Sequence, residues 1–213
     1  MSTLIPILST LLGTAAFAAD PSAPHTNQGI LQPIVSLPDS IQLTAEEQRQ
    51  FDAGEVVLRQ ETTTGQGEGV AVQRIDAPIE TVWEVILDYD EYPARISTVD
   101  TCEVYRERGD DVYVDMQSSV MGIRFGQYTR NSVHRDEGYM SWTLDYSRLS
   151  DVEDMIGYWR LEQISSNPAV TRLEYGTELM VGQVPGFLVG FLTRDALRSG
   201  TAWVKEYSEA AAN

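Results

Sequence analysis

The sequence predicts an α+β fold in which a curved antiparallel sheet of about seven to eight strands is closed by one long C-terminal helix. Six strand patterns follow one another between residues 99 and 181, and their short, turn-like links are typical of antiparallel hairpins. Two further strand patterns precede them. The last long segment, 184–210, carries apolar residues at three- and four-residue spacing on one side and charged residues on the other, which indicates a helix that lies on a core.

Length and charge limit the classes of function. A chain of 213 residues with 42% hydrophobic residues is long enough for one well-buried domain plus tails. Its 15 Lys and Arg stand against 32 Asp and Glu. Because binding to a polyanion depends on cations that release counterions, this balance excludes nucleic acid as the expected partner.

The N-terminus predicts export. An apolar run at 4–12 is followed by Ala16-Phe17-Ala18, which fits the cleavage pattern of a signal peptide over residues 1–19. No Lys or Arg precedes the run, so a misassigned start and an uncleaved anchor stay open as alternatives. Residues 20–40 are rich in Pro, Ser and Thr and predict a flexible linker with a solvated His25, ahead of a folded domain at 41–213. The expected location is periplasmic or extracellular.

Local signals place the elements of this domain. Thr44 and Glu47 form a capping-box pattern at the start of a short helix. Strands are predicted at 55–60 and 70–75, and a second helix at 79–87. Pro93 ends that helix and favours an extended Tyr92. The remaining strands are predicted at 99–106, 112–121, 124–134, 139–146, 155–164 and 170–181.

Alternation along the strands gives the sheet one dry and one wet face. The dry face is bulky and partly polar, and it holds, among others, Val112, Val114, Met116, Ser118, Phe125, Gln127, Thr129, Asn131, Met140, Trp142, Leu144, Tyr146, Trp159, Leu161, Leu173, Tyr175, Thr177 and Leu179. The wet face holds Asp115, Arg124, Arg130, Ser141, Asp145, Arg160, Glu162, Arg172 and Glu174. Polar groups on a dry face need partners.

The middle of the closing helix carries small residues. Ala196, Ser199 and Gly200 lie between the bulky Leu192 and Trp203 on the buried side. Small residues at this point indicate either a close approach of the helix to the sheet or an empty space beneath it. In the first alternative Trp142, Tyr146, Trp159 and Tyr175 fill the centre themselves.

The residues predict no catalytic centre. His134 falls on the wet face, Cys102 reads as a small buried hydrophobe, and two distant His with one Cys predict no metal site and no cofactor. Catalysis inside a pocket by Tyr175, Thr177 or Asn131 stays open as an alternative. Whether the protein is an enzyme is therefore undecided, with binding favoured.

The order of elements resembles a known superfamily. The pattern runs from Ile75-Asp76-Ala77-Pro78 through Trp83, Tyr92-Pro93, Gly157-Tyr158-Trp159 and Tyr175 to a helix that ends with Trp203-Val204. It resembles the START-like (SRPBCC) superfamily over about residues 41–210, and it is most similar to the branch of coenzyme Q-binding and polyketide cyclase/dehydrase-like proteins. The resemblance implies a helix-grip fold with a deep cavity for lipids, sterols, quinones or polyketides, but no catalytic residue.

From both lines we predict a monomer that binds or carries an apolar small molecule between sheet and closing helix; a polyketide cyclase or aromatase that uses the same cavity is the alternative. The predicted ligand-binding residues are Met116, Phe125, Gln127, Asn131, Trp142, Tyr146, Trp159, Tyr175, Thr177, Leu192, Ala196, Gly200 and Trp203. Tyr92, Phe187 and Phe191 are predicted to line the portal. Phe187 and Phe191 either pack under the preceding loop or form an apolar lip for transient membrane contact.

Overall fold

The computed structural model of the chain describes residues 19–120, 122–181 and 186–212, with side chains described for all of these except 120, 123, 186–193, 195 and 196. The helices are α1 (Ala45–Asp52), α2 (Ile79–Leu87), α3 (Tyr92–Arg95) and α4 (Gly186–Ala211), with a 3-10 turn at Tyr89–Glu91. The strands are β1 (Val57–Thr63), β2 (Gln66–Ile75), β3 (Val99–Arg108), β4 (Asp111–Val120), β5 (Ile123–His134), β6 (Tyr139–Leu144), β7 (Asp154–Ser166) and β8 (Ala169–Met180).

All eight strands form one antiparallel sheet in the order β1-β2-β8-β7-β6-β5-β4-β3. Consecutive strands pair as hairpins except where β2 pairs with β8, which brings the first hairpin beside the last strand. The long helix α4 packs against β1, β2 and β8 and against α2. The predicted fold class is therefore confirmed. None of the described helices is both long and apolar enough to cross a membrane.

Helix boundaries follow the predicted local signals with one exception. The Thr44 side chain accepts a hydrogen bond from the Glu47 amide while the Glu47 carboxylate accepts one from the Thr44 amide, so the capping box begins α1 as predicted. The predicted extended conformation of Tyr92 is wrong. Tyr92 has φ −56° and ψ −42° and begins α3, because Pro93 is tolerated in the first turn of a new helix.

The face of the sheet that was predicted to be wet is partly covered, although Arg124, Arg130 and Glu162 are exposed as predicted. Ser141, Asp145 and Glu174 are buried, and so is Asp154 at the start of β7. The cover is the N-terminal segment (residues 20–41), which lies against the sheet although the sequence predicts a flexible linker there. Its Asp20 pairs with Leu149 through two backbone hydrogen bonds of 2.8 and 3.0 Å.

Two carboxylates without solvent contact hold the N-terminal segment. Asp154 accepts hydrogen bonds from the amides of Ile30 and Leu31 at 2.5 and 2.8 Å, and Glu174 accepts from the Ser40 hydroxyl at 3.0 Å and from the Ile41 amide at 3.2 Å. The N-terminal segment forms no named strand with the sheet at these points. The two carboxylates therefore accept the hydrogen bonds that its backbone amides would otherwise make to water.

His25 lies within the same arrangement. The prediction that it is solvated is wrong, because its side chain is only 4% exposed and its Nε2 lies 2.9 Å from the Val152 carbonyl oxygen. Its ring also meets Tyr146 edge to face.

The Asp154 contacts lead to a stability prediction. We expect Asp154→Ala to lower the free energy of unfolding by about 3 kcal/mol, because it leaves the amides of Ile30 and Leu31 without their acceptor. Urea denaturation followed by circular dichroism measures the change. Glu153→Ala is the matched control, since this neighbouring acid is exposed. Equal stability of the two variants would contradict the structural role of Asp154.

Candidate functional site

Three aromatic side chains form the centre of the inner face, the face of the sheet that α4 and α2 cover. The Tyr175 ring lies 4.5 Å from Trp159 and stacks at 5.5 Å on Trp142, measured between ring centroids. They come from three strands, because Trp142 belongs to β6, Trp159 to β7 and Tyr175 to β8. The structure thus brings together three of the predicted ligand-binding residues.

A glycine makes this aromatic cluster fit. Gly157 is paired with Trp142 across β6 and β7, and a Cβ at position 157 would overlap the indole of Trp142 and lie 2.6 Å from the Gly176 carbonyl oxygen. The missing side chain lets the indole lie flat on the neighbouring strand.

The closing helix approaches the cluster at Gly200. A Cβ added there would lie 3.7 Å from the Tyr175 ring, which is ordinary van der Waals contact. Of the two alternatives for the small residues, close approach therefore holds at Gly200, with Tyr175 filling the space beneath it. Leu192 and Ala196, which precede it on the helix, lie outside the described side chains.

The predicted portal residue Tyr92 is instead part of the core. It packs edge-on against Trp203 of α4, with ring centroids 4.9 Å apart, and its hydroxyl donates a 2.6 Å hydrogen bond to the Ile86 carbonyl oxygen. Both rings are buried. Trp203 thus packs α4 against α3. Phe187 and Phe191, the other predicted portal residues, lie outside the described side chains.

Accessibility varies along the inner face. It is low at the end of β7 and the start of β8, where Leu161 pairs with Leu173 and both side chains are buried. Toward the end from which the chain continues into α4, Met116, Phe125, Tyr175, Thr177 and Leu179 keep accessible surface although they share the inner face. These residues lie on the last half of β4, the first half of β5 and the last half of β8, which the antiparallel order brings to one end. We call this end the open end of the inner face, although Leu144 at the end of β6 is buried there. At the opposite end Val112 and Val133 also keep accessible surface, beside the groove described below.

Of the polar residues predicted to orient a ligand, two are already engaged. The Asn131 amide donates to the Thr129 hydroxyl at 3.0 Å and to the Val112 carbonyl oxygen at 3.2 Å. The Thr177 hydroxyl donates to the Ile156 carbonyl oxygen at 3.2 Å. Gln127 differs, because its buried side chain makes no hydrogen bond to any residue within the described ranges. It is the available polar group of the three.

Tyr146 lies elsewhere. Its hydroxyl donates to Asp154 at 2.7 Å, and its ring is next to Gly29 and His25 of the N-terminal segment. The alternation of β6 predicted an inner position, but β6 ends at Leu144, and a residue beyond the end of a strand no longer follows its alternation. Tyr146 therefore supports the N-terminal segment and is not one of the inner-face aromatics.

A second concavity lies outside the predicted site. A groove of about 580 Å³ runs between the β3–β4 and β5–β6 hairpins and the end of α2. Its walls combine the apolar Leu87, Tyr89 and Val112 with His134 and several acids. Sequence patterns do not predict this groove, because hairpin ends carry no periodic signal that would bring these residues together.

Burial keeps a phenol and a thiol of the inner face protonated at neutral pH. Burial raises the pKa of Tyr175 to about 12, and burial, reinforced by the charges of Asp90, Asp115 and Glu103, raises the pKa of the Cys102 thiol to about 12. Cys102 is buried, as predicted. At neutral pH the Tyr175 hydroxyl can donate a hydrogen bond but is not a base.

Known proteins share the sequence pattern and the fold of this chain. The model of the polyketide cyclase/dehydrase and lipid transport family matches residues 75–202, more than half of the chain. A STAR-related lipid transfer protein from Xanthomonas axonopodis has a TM-score of 0.58 at 14% identity, with 71% of this chain and 91% of that chain covered.

Two further solved structures share the fold. A START superfamily protein from Mycobacterium smegmatis has a TM-score of 0.56 at 16% identity, covering 72% of this chain and 98% of that one. The Zhui aromatase/cyclase from Streptomyces sp. R1128 has a TM-score of 0.54 at 14% identity, covering 73% and 94%. No curated protein matches the chain in sequence. At these identities the structural likeness shows the fold alone.

The two inner-face glycines should respond differently to alanine. We expect Gly157→Ala to lower the free energy of unfolding by about 1–3 kcal/mol, because the new Cβ overlaps Trp142. Gly200→Ala should leave stability equal or raise it by up to about 1 kcal/mol, because the Cβ finds ordinary contact and alanine favours the helix. Urea denaturation of both variants checks this. A strongly destabilised Gly200→Ala protein would contradict the described approach of α4.

The raised pKa values predict alkaline destabilisation. In the unfolded chain a thiol ionises near pH 8.5 and a phenol near pH 10, whereas in the folded protein the pKa of Cys102 and that of Tyr175 are about 12. The stability these groups contribute is therefore complete below about pH 8.5 and is lost as pH rises toward 12. Urea denaturation at pH 8–11 measures this fall. Cys102→Ala should flatten the part that begins near pH 9, and an unchanged slope would contradict the prediction.

Proposed function

Because the chain belongs to the polyketide cyclase/dehydrase and lipid transport family, as its resemblance to the START-like superfamily predicted, we propose that it binds an apolar small molecule at the open end of the inner face. The supporting observation is the apolar surface that stays accessible at this end of the face. Met116, Phe125 and Tyr175 belong to the inner face and yet keep accessible surface. An apolar ligand that covers them removes this surface from water, which contributes about 25 cal/mol per Å² of binding free energy.

The depth of Tyr175 supports an internal space. Its ring lies between Trp142, Trp159 and Gly200, and burial raises its pKa to about 12. Tyr175 nevertheless keeps accessible surface, which favours a space beside its ring. The aromatic walls suit a flat or chain-like apolar molecule, because aromatic side chains contribute large apolar contact areas.

Binding is favoured over the cyclase alternative. Acid–base catalysis near neutral pH needs a group whose pKa lies near 7 and that reaches the substrate. Along β4 and β5 the inner-face positions with described side chains carry no Asp, Glu, His, Lys or Arg. Tyr175 and Cys102 stay protonated at neutral pH because burial raises the pKa of each. The described inner face therefore offers apolar contact and hydrogen bonds.

An uncharged fluorescent probe tests the proposal. Diphenylhexatriene fluoresces strongly only when it leaves water, and all four tryptophans of the chain are buried near the inner face or α2, so energy transfer from tryptophan reports its position. We expect saturable binding close to one probe per chain. Met116→Trp should lower the affinity at least tenfold, because the larger side chain occupies the space that Met116 borders.

Ile164→Trp is the matched control, because Ile164 is exposed near the end of β7, away from the inner face. It should bind the probe like the wild-type protein. Circular dichroism and thermal melting establish that both variants are folded. Failure of the wild-type protein to bind, or wild-type affinity in a folded Met116→Trp protein, would refute an apolar site at this end of the sheet.

A further inference from the structure

One buried polar side chain at the open end of the inner face has no partner. Gln127 is 7% exposed, and its amide makes no hydrogen bond to any residue in the described part of the chain. Ser118 on the adjacent strand is 5% exposed, and its hydroxyl likewise makes none within those ranges. The polar atoms of both side chains keep some accessible surface. Both groups therefore stay available to a polar group that enters at this end.

The position of Gln127 shows where its amide can find a partner. On β4 and β5 it pairs with Met116, and Phe125 is its neighbour on the same face of β5; both of these side chains keep accessible surface. Strand β6 pairs with β5 only from Thr129 onward, so Gln127 lies just beyond the last β5–β6 pair. The amide therefore belongs to the accessible end of the inner face, among apolar side chains.

The electrostatic surroundings select the charge of a partner. Cys102, Met116 and Gln127 form one row across β3, β4 and β5, so Cys102 lies roughly 10 Å from Gln127 at two strand spacings. Burial is the main cause of the raised pKa of Cys102, and the charges of Asp90, Asp115 and Glu103 act in the same direction. The inner-face positions around Gln127 offer no Lys or Arg to compensate. An anionic group placed beside Gln127 would be repelled and unpaired.

Building on the proposed function, we infer that Gln127, with Ser118 beside it, binds the uncharged carbonyl or hydroxyl head of an otherwise apolar ligand. A primary amide both donates and accepts, so it pairs with either group, and the Ser118 hydroxyl can do the same. The ligand class is thus a neutral ketone, quinone, ester or alcohol with an apolar body. Fatty acids and phosphorylated lipids, whose heads are anionic, are disfavoured.

Three probes that differ only in the head test this inference. 1-Pyrenedodecanol, 1-pyrenedodecanoic acid and 1-dodecylpyrene share the pyrene and the alkyl chain, and binding of each is followed by energy transfer from tryptophan at pH 8. We expect the alcohol to bind at least tenfold more tightly than the carboxylate. We also expect the alcohol to bind about five- to twentyfold more tightly than dodecylpyrene, because the alcohol gains a hydrogen bond to Gln127.

Substitution separates the head from the body. Gln127→Leu keeps the side-chain size and removes the amide, so the preference for the alcohol over dodecylpyrene should disappear while dodecylpyrene binds as before. Its thermal stability should be equal or higher, because leucine replaces a polar group at a position that is only 7% exposed. Gln117→Leu is the matched control, since Gln117 lies on the opposite face and bonds to Asp115. It should leave the preference intact.

The outcomes distinguish this inference from the proposed function. If dodecylpyrene binds but the carboxylate binds as tightly as the alcohol, or if Gln127→Leu keeps the preference for the alcohol, the head-group assignment is wrong and the apolar site stands. If none of the three probes binds the wild-type protein, the apolar site itself is wrong and the assignment falls with it.

Discussion

The carboxylate of Asp154 joins more parts of this protein than any other side chain described above. It accepts hydrogen bonds from the amides of Ile30 and Leu31 in the N-terminal segment, from the Tyr146 hydroxyl and from the amide of Met155. A buried charge is stable only when its surroundings satisfy it, and here four donors do so. The start of β7, the loop that follows β6 and the N-terminal segment are thereby held in one arrangement. The Asp154 contacts thus fix part of the outer face, on the side of the sheet opposite to the candidate site.

The small residues in the middle of α4 left two alternatives, a close approach of the helix to the sheet or an empty space beneath it. The inner face combines both. Beneath Gly200 the Tyr175 ring occupies the space, and the stack with Trp142 is completed by the absent side chain of Gly157. Toward the end from which α4 follows, the same face keeps accessible apolar surface at Met116 and Phe125. A rigid aromatic floor and an accessible end are complementary, because a floor that is already packed does not collapse into the space beside it. Such a site is preorganised for an apolar ligand.

Much of the fold could be predicted because its signals are local. The capping box at Thr44 and the alternation of eight strands each depend on neighbours in sequence, and both the helix α2 and the inner position of Trp142 followed from them. The covered outer face could not be predicted in this way. Glu174 meets Ser40 and Ile41 across more than 130 residues of chain, and the contact is made by backbone amides that leave no pattern in the sequence. His25 was misjudged for the same reason.

The candidate site was predictable as a face but not in its hydrogen bonding. Alternation assigns Gln127, Asn131 and Thr177 equally to the inner face, and residue type alone gives each of them the capacity to bind a polar group. Only coordinates show that Asn131 is satisfied by Thr129 and Val112, and that Thr177 is satisfied by Ile156. The sequence thus identifies which side chains can bind, whereas the structure identifies which remain free to do so.

The contrast between buried groups on the two faces also bears on function. On the outer face Asp154 and Glu174 are buried and both carboxylates have donors, so their burial contributes to one fixed arrangement. On the inner face Gln127 is mostly buried and makes no hydrogen bond within the described part of the chain, yet its amide keeps some accessible surface. A ligand that forms a hydrogen bond there gains this bond together with the burial of apolar surface. Because the inner-face positions of β4 and β5 carry no Lys or Arg, a carboxylate or phosphate would lose its hydration without a cation to pair with, so the site favours an uncharged head.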